Sequence, residues 1–354
     1  MSGRTWAAVI VVVVVVGAGA GYVGSLLATR SGQPAAQAPS PSPTPSAGIR
    51  RTPSQAATAS PAQSTFPTVN PLHNAIVDGL HCKLPVYVLS QKGSGGFVNF
   101  PAGTITGDSS SNNPVMPNDA DWFGLTYDTA VKHWLPVPSA WVAPDGALYA
   151  FAFDVDSHAG YDAMFLVNAL TGTGANLGQG PTGWQVIGVS STNIYAAVLG
   201  GPGVYVQAIT GPFNPMPIRD GYWTAASGFF IYGSATPDGG TIVQMDARNP
   251  THRVQWFNKG GSAEIIGFDG SGSPVIWTGT DLWIASAPDQ AVRIGSVEPL
   301  NTPIFSRAPL RGAVAPVADS HGLWFSTTDG IYIYAGGQTT KVSDLVAQVA
   351  GTCT

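Results

Sequence analysis

All-β is the fold class that this 354-residue sequence predicts, and three observations predict it. Charged residues make up 10% of the chain, while 44 glycines and 29 prolines exceed the usual shares of about 7% and 5%. Such usage suits many short strands joined by tight turns. Glu264 and Glu298 are the only glutamates, which removes a residue that surface amphipathic helices lean on for propensity and solubility. Short runs alternate β-branched and aromatic residues with period 2, as at Val204 and Val206, with Ile209 following. The net charge of −5 is mild, and the 15 basic residues form no run longer than Arg50-Arg51, so the sequence carries no electrostatic footprint for nucleic acid.

The chain divides into four parts. Residues 1–5 are a short tail, expected in the cytoplasm. Trp6 to Leu27 are apolar or small throughout, and at 1.5 Å per residue they reach about 33 Å, close to the roughly 30 Å of hydrocarbon in a bilayer. This predicts a transmembrane signal anchor over 6–28, which makes the membrane a partner and places the rest of the chain outside the cytoplasm. A signal peptide cleaved near Ala18-Gly19-Ala20 is the competing reading; Tyr22, Val23, Leu26 and Leu27 continue the apolar stretch beyond that site and favour the anchor. Over 31–71 the composition shifts to Pro, Ala, Ser, Thr and Gln, a mixture that cannot bury enough apolar surface to fold and predicts a disordered linker.

The folded part is expected over 80–354. Cys82 and Cys353 bracket it, and their spacing fits neither a metal-ligand pattern nor a redox C-x-x-C motif, which predicts a structural disulfide in an oxidising compartment. Between them the sequence repeats. Segments centred on Tyr127, Leu166, Tyr205, Val243, Trp283 and Tyr332 recur at 39, 39, 38, 40 and 49 residues. A second landmark precedes most of them: Leu148-Tyr149, Ile194-Tyr195, Ile231-Tyr232, Ile276-Trp277 and Leu323-Trp324. Six units of about four short strands describe a six-bladed β-propeller. Seven blades are the alternative, should Gly295 to Arg311 or the C-terminal tail complete another sheet.

The stretch from Asp319 to Tyr334, DSHGLWFSTTDGIYIY, resembles the propeller repeat of two-component-regulator sensor domains and of streptogramin-lyase-like proteins. It shares the Asp-x-x-Gly turn, the Leu-Trp strand and the Gly-Ile-Tyr strand. Asp269 to Trp277, Asp281 to Ile284 and Asp145 to Tyr149 are looser copies. Such repeats serve sensors, lyases, hydrolases and inert scaffolds alike, so the resemblance implies a fold and not a function.

Catalytic signatures are absent: no nucleophile elbow, no zinc-protease helix and no phosphate-cradling P-loop occurs, and no cofactor is evident. Gly172 to Gly178 superficially resembles a dinucleotide loop, yet no helix pattern follows, and it reads as a hairpin turn. Trp141, Trp184 and Trp223 stand at 43- and 39-residue intervals and read as packing between blades; Trp122 falls outside the repeat.

Loop length then points to a site. Ala102 to Trp122 and Asp154 to Asp162 are the long loops expected on one end of the ring. Asp154, Asp156, His158 and Asp162 supply side chains that can hold Ca²⁺, although no EF-hand spacing is present, and Asp119, Asp121, Trp122 and Tyr161 add carboxylates and aromatic faces for a glycan or protein ligand. The expected function is that of a membrane-tethered interaction or ligand-binding module rather than an enzyme. An envelope lyase or hydrolase and a purely structural envelope component are the alternatives.

Overall fold

Where two apolar runs are separated by residues that accept positive φ, the chain turns back on itself. Gly336 and Gly337, at φ 57° and 81°, form the kind of two-residue turn whose twist matches a β-hairpin, and they join strands Gly330–Ala335 and Gln338–Ser343. A computed structural model describes residues 66, 69–88, 94–116, 123–154, 161–198, 200–237, 239–296 and 316–354, all within the unit Ala59–Thr354. The expected membrane span 6–28 and most of the expected linker lie outside these residues; among the described residues no helix is long and apolar enough to cross a membrane.

The described strands form seven sheets in succession. Sheet 1 contains Lys83–Tyr87, Gly95–Asn99 and Thr104–Gly107, and sheet 2 contains Thr126–Asp128 and His133–Leu135. Sheet 3 contains Leu148–Asp154, Tyr161–Asn168 and Gly174–Pro181, with a bridge from Val142 to Tyr149 in the place of a first strand. Sheet 4 is the antiparallel meander Trp184–Val189, Asn193–Val198, Val204–Ala208 and Met216–Ile218, and sheet 5 is Tyr222–Ser227, Phe230–Ser234, Thr241–Asp246 and Asn249–Asn258. Sheet 6 is Glu264–Phe268, Pro274–Trp277, Asp281–Ala287 and Gln290–Ser296, and sheet 7 is Val317–Asp319, Gly322–Thr327, Gly330–Ala335 and Gln338–Ser343. The C-terminal strand Gln348–Val349 then pairs with Val86 and Tyr87 and becomes the fourth member of sheet 1.

Buried apolar side chains fill the seam between each sheet and the next. Tyr87, Leu125 and Trp134 join sheets 1 and 2, and Leu135, Phe151, Trp184 and Ile194 run from sheet 2 through sheet 3 to sheet 4. Tyr195 and Trp223 join sheets 4 and 5, Tyr232 and Ile276 join 5 and 6, and Val275 and Phe325 join 6 and 7. The succession returns to its start. Val86 and Val98 of sheet 1 pack with Ile331 and Ile333 of sheet 7, and Val77 of the short helix Ala75–Gly79 joins the same cluster. Trp141, Trp184 and Trp223 all sit in seams, as their repetition predicts.

Three expectations change. Seven sheets stand where the landmarks predict six units: Tyr127 belongs to the two-stranded sheet 2, and sheet 1, which precedes it, carries no landmark. The C-terminal strand Gln348–Val349 joins that sheet. Ala102 to Trp122 is not one loop, because Thr104–Gly107 pairs with Gly96 to Asn99 and a 3-10 turn spans Ser109–Asn112. Phe66 and Val69, inside the stretch read as linker, pack against the seam of sheets 1 and 7. The Cys82–Cys353 disulfide is present, with Cα atoms 5.4 Å apart.

Candidate functional site

Strand direction sorts the turns to two ends. Within each four-stranded sheet the second and fourth strands run the same way, so the turn into the third strand and the link to the next sheet emerge together, at the crossover end. The remaining hairpins emerge at the other end. There, side-chain oxygens build the turns: Asp128 accepts from the N–H of Ala130 (2.8 Å), Asp145 from Ala147 (3.0 Å), Asn168 from Leu170 (3.0 Å), Asp246 from Arg248 (2.9 Å) and Asp269 from Ser271 (2.9 Å). These are short polar groups that mimic a backbone turn. Among the described strands the two longest sequence intervals, from Gly107 to Thr126 and from Ser296 to Val317, both begin and end at the crossover end.

The paired residues Asp154 and Asp162, at the end of one strand and near the start of the next, stand at that end too. Asp156 and His158 lie outside the described residues, as do Asp119, Asp121 and Trp122; of Asp154 and Tyr161 the structure places the backbone, at the end of one strand and the start of the next. Asp162 is buried, and its carboxylate accepts from the N–H groups of Gly183 (2.7 Å) and Trp184 (2.8 Å), the link from sheet 3 into sheet 4. Two charge-assisted bonds tie it to architecture. Among the described residues no group of three or more His, Cys, Asp or Glu side chains is placed to hold a metal ion.

Other ionic groups at this end form pairs that the sequence reading did not single out. Asp281 opens the third strand of sheet 6 and accepts from Arg293 Nε and Ser296 Oγ, both at 2.8 Å, on the fourth strand. Those two donors hold its carboxyl below the usual carboxylate range. Asp329 stands at the corresponding place in sheet 7, where Thr327 Oγ1 (2.5 Å), Tyr332 OH (2.9 Å) and Lys341 Nζ (3.4 Å) donate to it and lower its pKa. Both cations lie twelve residues after their acids, so an acid with a cation at a repeated offset is a signal that the sequence does carry. Asp220, in the link between sheets 4 and 5, accepts from Arg253 at 2.6 Å, and the guanidinium lies 5.3 Å from the centre of the Trp223 ring. Lys259 lies 5.5 Å from the Trp283 ring centre in the next seam.

Asp108 leaves sheet 1 at the same end. Burial works against its ionisation, but hydrogen bonds from Trp134 Nε1 (2.9 Å) and from the Ser110 hydroxyl and N–H outweigh that and hold its pKa down. Gly172 to Gly178, the stretch with a superficial dinucleotide-loop spacing, is a hairpin: Gly172 lies in the turn, and the ring of Phe213 lies where a Cβ on Gly178 would stand.

No protein-family model matches this sequence, and no curated protein does. Solved structures are similar in fold: TolB from Acinetobacter baumannii, at 12% identity over 78% of this chain and 68% of that one, with a TM-score of 0.45; a streptogramin B lyase, at 12% identity over 78% and 86%, with a TM-score of 0.38; and Hsv2 from Kluyveromyces lactis, at 9% identity over 73% and 74%, with a TM-score of 0.35. All three are propeller-like proteins.

Proposed function

We propose that the chain is a membrane-tethered, seven-bladed β-propeller that acts as an interaction or ligand-binding module through its crossover end. One observation carries this reading. Tight turns at the hairpin end are built by Asp and Asn side chains that bond their own backbone, whereas the two longest intervals between described strands, Gly107 to Thr126 and Ser296 to Val317, begin and end at the crossover end, where ion pairs stand on sheet edges. Cations held over aromatic rings, Arg253 on the buried Trp223 and Lys259 on Trp283, suit a partner that meets them with polar or charged groups, such as a glycan or a polar protein segment. The tether belongs to the same reading and rests on the apolar run from Trp6 to Leu27.

Calcium is a second element of the proposal. With Asp162 engaged by backbone N–H groups, Asp154, Asp156 and His158 are the residues left to bind it. The test is thermal: glycans, peptidoglycan fragments and Ca²⁺ are added to the domain starting ahead of Phe66, which packs on the fold, and the melting temperature is followed. A ligand-dependent rise that Arg253→Ala or Lys259→Ala abolishes is expected. No rise with any probe, or a rise that survives both substitutions, contradicts the placement. For Ca²⁺ the corresponding variant is Asp154→Asn with Asp156→Asn.

A further inference from the structure

Cys353 is held from two sides. Its sulfur is bonded to Cys82 next to sheet 1, while its backbone N–H donates to Asp319 Oδ2, at 2.8 Å, at the end of the first strand of sheet 7. The same oxygen accepts from Trp324 Nε1 at 2.8 Å, and Oδ1 accepts from the N–H of His321 at 2.8 Å, with His321 Nδ1 3.3 Å away. The Asp319 side chain is 7% exposed. Trp324 and His321 fix the carboxylate from within sheet 7, so one oxygen is presented to the returning C-terminus in a set position. Around it, the N–H of Val349 donates to Ser326 Oγ (2.9 Å), also in sheet 7, and Lys83 and Thr354 exchange backbone bonds of 2.8 and 3.1 Å. None of these contacts involves sulfur.

We propose that Asp319 is a positioning residue for ring closure: it seats Cys353 beside Cys82 before the disulfide forms, so that the ring closes first and oxidation locks it. A carboxylate that accepts from a backbone N–H fixes the adjoining Cα, and hence the sulfur, within reach of its partner. Oxidation then proceeds by exchange with a small disulfide such as oxidised glutathione. One cysteine thiolate attacks it and releases one glutathione thiolate, and the second cysteine thiolate attacks the protein sulfur of the mixed disulfide and releases the other. The two electrons lost by the protein pair reduce the glutathione disulfide to two thiols.

The seat is read out as the effective molarity of the two thiols, from the equilibrium of the full-length chain with reduced and oxidised glutathione, in native buffer and in concentrated guanidinium. Asp319→Asn, which leaves a single acceptor oxygen for these three donors, is expected to lower the native value at least tenfold and to leave the denatured value unchanged. Phe325→Leu removes buried contacts from sheet 7 on its seam with sheet 6 while every bond to Asp319 stays in place, and is expected to hold the native value within about threefold of wild type even where it lowers stability. Amide exchange adds a second readout: in the reduced wild-type chain the Cys353 N–H stays protected, and Asp319→Asn exposes it. An unchanged native effective molarity in Asp319→Asn, an equal fall in denaturant, or an equal fall in Phe325→Leu overturns the proposal.

Discussion

A carboxylate in a tight turn has backbone N–H groups as its nearest partners, and this decides what Asp108, Asp128, Asp145, Asp162, Asp246, Asp269 and Asp319 do. Asp162 falls among residues whose spacing suggests oxygen ligands, yet spacing alone cannot distinguish a carboxylate facing a loop from one bonded across a link to the next sheet. The structure binds it to Gly183 and Trp184. Asp162→Asn is therefore expected to destabilise the fold by about 2 kcal/mol, to the same extent with and without Ca²⁺, measured by denaturant unfolding. Asp108 makes a pH prediction. Its folded pKa is lowered from the ordinary 3.8, so the stability it contributes is fully present above that value and is lost as pH falls through the lower folded one. The acid limb of the stability profile should be shallower in Asp108→Asn than in wild type. An identical slope below pH 4 would count against the hydrogen bonds from Trp134 and Ser110.

At the scale of elements, what was legible followed from repetition. Leu148-Tyr149, Ile194-Tyr195, Ile231-Tyr232, Ile276-Trp277 and Leu323-Trp324 all lie in the strands that precede the recurring triplets, because a strand buried in two seams needs large apolar residues at the same place in every sheet. Sheet 1 escaped this pattern. Its strands include Pro85, Gly95 and Gly96, and Gly96 lies against the Phe66 ring, where a side chain would collide. Small residues there make room for the N-terminal arm, and the periodic signal disappears with the side chains. The short helix Ala75–Gly79 was equally hidden, since five residues carry no periodicity. Asn74 caps it, accepting from Ile76 and Val77 at 3.1 and 2.9 Å, and donates to the Lys341 carbonyl of sheet 7 at 3.2 Å. Asn74→Ala should cost about 1 kcal/mol and raise amide exchange along Gln338–Ser343 in particular. Uniform exchange across all seven sheets would contradict the docking of this helix on the seam.

For the whole molecule, closure of the succession of sheets is decisive. The bracketing of the sequence by Cys82 and Cys353 showed that the ends meet; it did not show that a strand from one end completes a sheet begun at the other, because Gln348–Val349 is too short to announce itself. A bond across 271 residues contributes about 5 kcal/mol in the chain-entropy model, an upper value. Replacing both cysteines by serine should lower the unfolding midpoint markedly and leave the seven sheets assembled, since the bonds at Asp319, Ser326 and Lys83 remain. The measurement that bears most directly on the closed ring is a crystal structure of the domain from ahead of Phe66 to Thr354. Seven sheets in a ring, with Gln348–Val349 paired to Val86 and Tyr87 and sheet 7 packed on sheet 1, is the predicted result. A six-sheet ring, an open arc with the C-terminal strand unpaired, or a two-layer sandwich would contradict it.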